Sequence, residues 1–181
     1  LKAPIVMPDG TIIKPDKGTP QGGILSPILA NIVLNELDWW ISSQWETMPT
    51  HTQYKPHISK NGTISCANKF RVLQESKLKE MYIVRYADDF KIFCRKRSDA
   101  DKIFVAVKKW LKERLKLDIS EEKSRVVNLK KKSSEFLGFE LKAVRKAKKY
   151  VVQSHMSEKS KKRVTETLHK KIVEIEHSKN A

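Results

Sequence analysis

The spacing of apolar positions along the chain changes several times, and each change predicts an element. Ile5-Val6-Met7 and Thr11-Ile12-Ile13 flank Pro8-Asp9-Gly10, a turn between two short apolar runs, which predicts a hairpin. From Ser26, read as an N-cap with Pro27 at the first helical position, Leu29, Ile32, Val33, Leu37, Trp40 and Ile41 recur at helical spacing. A long helix is expected there, its apolar stripe laid on a sheet. Residues 47–80 keep no period, and Lys60-Asn61-Gly62-Thr63 marks a tight turn, so this stretch reads as an irregular or hairpin-bearing insertion ending in a short helix. Tyr82, Val84 and Tyr86 then alternate with Ile83 and Arg85, which predicts a strand over 81–86, a turn at Ala87-Asp88-Asp89 and a second strand over 90–95.

Ser98-Asp99-Ala100-Asp101 has the form of an N-terminal capping arrangement, and Ile103, Phe104, Val107, Trp110 and Leu111 continue on one helical face to about Leu115. Short strands are expected at 117–119 and 126–129, then over 135–141 and 149–153. From Ser157 a basic amphipathic helix begins, with Val164, Leu168, Ile172 and Ile175 forming its stripe. Helix, hairpin, helix and strand make up most of a ferredoxin-like βαββαβ layer without its opening strand, so the expected class is α+β.

Composition adds a partner class. Of 181 residues 39% are hydrophobic, enough to bury a core, while Cys66 and Cys94 are too few for a disulfide framework. No apolar run approaches the ~18 residues of a membrane span, which predicts no membrane partner. His51 and His57 lie far in sequence from both cysteines, and neither a CxxC nor an HxxxH spacing is present, which argues against zinc. The chain opens at Leu1 without a signal-peptide pattern, so an internal piece of a longer protein is expected. Lys and Arg number 37 against 21 Asp and Glu, a net +16. Half of that excess lies in residues 142–181, where 12 basic side chains face 4 acidic ones. Such placement predicts polyanion binding, because phosphate contacts dominate nucleic-acid affinity.

Against this background two adjacent acids, Asp88 and Asp89, need a reason. A carboxylate pair repels itself unless solvated, capped or neutralised by a cation, although polar turn residues are common in themselves. Aromatic-rich strands on both sides and basic segments around make this an arrangement suited to Mg²⁺, which takes few carboxylates and leaves positions for substrate phosphates. Two such ions about 3.5–4 Å apart would activate an attacking oxygen and stabilise a leaving one.

Three motifs in this order carry a resemblance: "GTPQGGILSP" at 18–27, "YADD" at 86–89 and "EFLGF" at 135–139. Together they resemble the reverse transcriptases encoded by group II introns, the intron maturases, over roughly residues 1–175. The resemblance implies a polymerase palm over residues 1–155, lacking its first strand and the fingers, and the start of a helical thumb over 156–181. It implies that Asp88 and Asp89 bind Mg²⁺, with Tyr86 and Ala87 at the nucleotide and the small Ala87 side chain beneath its sugar. Pro20, Gln21 and Gly22 are implied to contact template and incoming nucleotide. "LDISEEKS" at 117–124 is similar to the next motif, which puts Lys123 at the triphosphate; the alternative is a solvated lysine. Gly138 falls in a primer-gripping hairpin; the alternative is a strand glycine at a bulge.

The implied activity is RNA-templated DNA synthesis with RNA template or intron RNA, DNA primer and deoxynucleoside triphosphates as partners. Retron-type or other bacterial reverse transcriptases, and an RNA-binding maturase module without chemistry, are the alternatives. The family's earlier metal-binding aspartate has no counterpart here, so the two-metal site is expected to be incomplete and the chain alone inactive. An open sheet edge where the first strand belongs suggests a homodimer. The implied setting is a bacterial cytoplasmic ribonucleoprotein, with an organelle as the alternative.

Overall fold

The computed structural model describes residues 4–14 and 24–179, an α+β chain that divides into two compact units at Ile119/Ser120. In the first unit, β1 (Ile5–Val6) and β2 (Ile12–Ile13) form the expected hairpin. Asp9 Oδ1 accepts the Thr11 amide at 2.9 Å, and Gly10 takes φ 82°, a region that suits glycine. The 47–80 insertion carries the hairpin β3 (His57–Ile58) and β4 (Ile64–Ser65), followed by α2 (Ala67–Glu75).

The first long helix, α1 (Ser26–Gln44), contains Ser26 as its first residue rather than as a cap, with the Leu25 carbonyl accepting the Leu29 amide at 3.0 Å. Its buried line is Leu34, Leu37 and Ile41, continued by Trp45 just beyond the helix; Ile32 and Val33, expected on that stripe, are exposed. Only the C-terminal half of α1 meets the core. There it packs on β5 (Met81–Tyr86), which pairs antiparallel with β6 (Asp89–Cys94). Leu73, Met81, Ile103, Val107 and Leu111 complete the core. Trp40 stacks on Trp110 with ring centroids 5.0 Å apart, and the fully buried Trp45 donates Nε1–H to the Tyr82 hydroxyl at 3.0 Å.

The next helix, α3 (Arg97–Trp110), begins one residue before Ser98 and carries no side-chain cap; the Asp101 carboxylate is taken instead by Arg97 Nε at 3.0 Å. A π-helical turn, Leu111–Leu115, closes it, and Lys116 reverses the chain at φ 56°. Among the described residues the strands expected at 117–119 and 126–129 do not form. A strand needs a ladder; the Ala143 amide does reach the Leu129 carbonyl at 2.9 Å, but the other backbone bonds there are local turns, from the Leu117 amide to the Leu111 carbonyl and from the Lys131 and Lys132 amides to the Asn128 carbonyl.

In the second unit β7 (Ser134–Phe136), β8 (Phe139–Lys146) and β9 (Lys149–Met156) form one antiparallel sheet in sequence order. Its two hairpin loops have two residues each, with positive φ at Leu137, Gly138 and Ala147, as tight hairpins require. The last helix, α4 (Glu158–Lys179), is capped by Ser157, whose Oγ accepts the Ser160 amide at 3.3 Å and donates to Glu135 Oε1 at 3.0 Å. The Ser157 amide bonds the Gly138 carbonyl at 2.8 Å, fastening the β7–β8 loop to the helix start. Val164, Leu168, Ile172 and Ile175 of α4 are exposed.

Candidate active site

The register of β5 and β6 decides what each residue of the acidic turn can do. Tyr86 pairs with Asp89, so the loop is Ala87-Asp88 alone and Asp89 opens β6 instead of belonging to the turn. Residues paired across a ladder share a face. Arg85 therefore lies with Phe90 on the side of Met81 and Ile83, facing the core, while Asp89 lies with Tyr86, Val84 and Lys91 on the outer side. Tyr86 is 66% exposed, and both acids are exposed at the hairpin tip. Neither carboxylate has a side-chain hydrogen bond or ion pair among the described residues.

Carboxylate oxygens of this kind suit Mg²⁺, which binds one or two carboxylates and completes its shell with phosphate oxygens and water. Among the described residues no group of three or more His, Cys, Asp or Glu gathers that could hold a metal ion. Asp88 and Asp89 could thus hold one ion between them, with the rest of its shell supplied from outside this pair, and not two ions.

Beneath the tip lies a network that sequence reasoning missed. Arg85, 11% exposed, reaches Asp38 of α1 through Nε, at 3.0 Å to both oxygens, and Nη2, at 2.6 Å to Oδ2. Its Nη1 donates to Asn31 Oδ1 and to the Ala87 carbonyl, each at 2.7 Å. The hydrogen bond to Asp38 raises the Arg85 pKa further above an already high value. The signal was present but weak: an arginine continuing the inward line of an apolar strand must find a carboxylate. At the other end of the same hairpin, where Cys94 pairs with Met81, burial and then the charge of Asp99 push the Cys94 thiol up to about 11, which leaves little thiolate at neutral pH.

The remaining sequence candidates are distributed elsewhere. Pro20, Gln21 and Gly22 lie outside the described residues. Lys123, exposed in a turn, and Gly138, in the β7–β8 loop at φ 79°, belong to the second unit. At Gly138 an added Cβ would stand 2.6 Å from Ser160 Oγ, so the backbone approach that this glycine permits is to α4.

The model of the family described as reverse transcriptase (RNA-dependent DNA polymerase) matches residues 7–141, about three quarters of the chain. The chain belongs to the reverse transcriptase family. Among curated relatives, the group II intron-encoded protein LtrA of Lactococcus lactis subsp. cremoris is 31% identical, over 71% of this chain and 26% of its own length. The COX1/OXI3 intron 2 protein of Saccharomyces cerevisiae is 29% identical over 69% of this chain and 17% of its own. Protein YkfC of Escherichia coli strain K12 is 28% identical over 74% and 34%. The reverse transcriptase chain thus spans about a quarter of the length of LtrA. These matches bear out the family read from the "YADD", "PQGG" and "EFLGF" motifs.

Proposed function

We propose that this chain is the palm-bearing part of an RNA-directed DNA polymerase of the group II intron type, with residues 1–155 as palm and 156–181 as the start of the thumb. One observation carries the reading: in a reverse transcriptase chain of high positive charge, a two-residue hairpin presents Asp88 and Asp89 outward with no protein partner on either carboxylate among the described residues. Bound Mg²⁺ would supply activation of the attacking hydroxyl and charge stabilisation at the phosphates. The rest is the work of side chains. Asp88 and Asp89 hold the ion at the hairpin tip, Tyr86 and Ala87 border the nucleotide, and Pro20, Gln21 and Gly22 contact template and nucleotide. The family resemblance further assigns Lys123 to the departing pyrophosphate and Gly138 to the primer end. The reaction joins the primer 3′-oxygen to the α-phosphorus of a deoxynucleoside triphosphate and breaks the bond to the β-phosphate bridging oxygen, releasing pyrophosphate.

RNA is the natural template and intron RNA a second ligand, since one relative is named as a group II intron-encoded protein. No helix among the described residues is long and apolar enough to cross a membrane, and a cytoplasmic or organellar ribonucleoprotein is the proposed setting. The test is the pair of substitutions Asp88→Asn and Asp89→Asn in the full-length enzyme. Primer extension is expected to fall by at least about a thousandfold, with RNA affinity within about twofold of the parent, because lysines and arginines supply that affinity. Retained extension, or an equal loss of RNA binding, would overturn the catalytic assignment.

A further inference from the structure

The Ala87 carbonyl lies in the two-residue loop, outside the β5–β6 ladder, and so needs an acceptor's partner from elsewhere. Ala87 also holds φ 52°, a left-handed backbone that costs a non-glycine residue about 1 kcal/mol. Both demands are met by one side chain. Nη1 of Arg85 gives one hydrogen to the Ala87 carbonyl and the other to Asn31, while Nε and Nη2 clasp Asp38. Asn31 and Asp38 are seven residues apart, two turns along the same face of α1, so the guanidinium ties the hairpin tip to a helix anchored in the core. Four of its five N–H groups are committed in this way, and the charge is satisfied by Asp38 without being drawn to Asp88 or Asp89.

We propose that Arg85 is a positioning residue for the acidic turn: by bridging Asp38 and Asn31 to the Ala87 carbonyl it fixes the Ala87–Asp88 peptide plane and thereby sets the divalent-cation affinity of Asp88 and Asp89. Fixing that plane fixes the direction in which the Asp88 side chain leaves the backbone, and the two carboxylates then share a cation without first paying to order the loop. Lysine cannot substitute. Its ammonium is a single point and does not match a carboxylate edge, an amide oxygen and a carbonyl lying in different directions.

The inference rests on the reading of Asp88 and Asp89 as metal ligands, and the experiment separates the two. Mn²⁺ binding to the chain is followed by electron paramagnetic resonance in the parent, in Asp88→Asn/Asp89→Asn, in Arg85→Lys and in Asn31→Ala. Melting temperature and amide exchange over residues 86–89 are measured for each. The parent is expected to bind one ion that the double asparagine variant does not. Arg85→Lys should weaken that ion about tenfold and Asn31→Ala about threefold, with amide exchange in the turn accelerated by similar factors. Should Arg85→Lys fail to fold, Asn31→Ala, which leaves the Arg85–Asp38 pair intact, decides alone. A lowered melting temperature with unchanged Mn²⁺ affinity and turn exchange would mean that Arg85 is only a packing ion pair, and the inference falls while the metal reading stands. Equal binding by the parent and the double asparagine variant overturns the metal reading and this inference together.

Discussion

Ala87 shows how much one residue's backbone restricts the substitutions that can test it. At φ 52° a β-branched side chain is a steric outlier, whereas glycine takes the same conformation freely. Ala87→Gly should leave the melting temperature within about 3 °C, since relief of strain is offset by a more flexible unfolded chain. Ala87→Val should cost about 1–2 kcal/mol in denaturant unfolding. In the full-length enzyme it should also raise the KM for nucleotide severalfold if the methyl group borders the sugar. A folded valine variant with unchanged nucleotide KM would remove Ala87 from that position. Arg85, next but one in the chain, was legible only as the polar member of an alternating strand. Its partner Asp38 is 47 residues away, and that pairing depends on the azimuth of α1 against β5, which no local pattern encodes.

At the scale of elements, the hairpins and helices were readable because turn residues and apolar spacing act locally. The β1–β2 and β3–β4 hairpins, α1, the β5–β6 pair, α3 and α4 all stand within a few residues of expectation. What failed was non-local. Val126-Val127 looks like a strand by composition, but no ladder forms along it among the described residues, and the first turns of α1 carry apolar residues that the core does not cover. The β7–β8 loop offers a sharper test. Gly138→Ala should destabilise the β7–β9 and α4 unit by about 2 kcal/mol, part from φ 79° and part from the clash with Ser160 Oγ. Adding Ser160→Ala removes the hydroxyl and leaves the Cβ contact at an ordinary 3.6 Å, so the double variant should recover about half of the loss. Additive losses in chemical denaturation would show that strain at Gly138 alone is responsible.

For the whole molecule, charge is the quantity that reaches furthest. On α4, Lys161 pairs with Glu158 at 2.6 Å and Lys162 with Glu166 at 3.9 Å, but these exposed pairs are weak and yield readily to phosphate. Replacing Lys161, Lys162 and Arg163 by glutamine should weaken RNA binding at moderate salt and flatten the log–log salt slope by about two units, at roughly 0.7–0.9 per lost phosphate contact. Parallel lines for the two proteins would place the nucleic-acid path elsewhere. The unit's connectivity has a different outcome, in time instead of affinity. Among the described residues β7, β8 and β9 pair only with their neighbours in sequence through two-residue loops, and α4 is fastened by Ser157 to the loop just before β8. The first unit must instead bring α1 to β5 across the 36 residues that separate them. Loop closure is slow for the second arrangement and fast for the first, so residues 120–181 acquire native order early, while the Arg85–Asp38 bond, and with it the acidic turn, is among the last features to form.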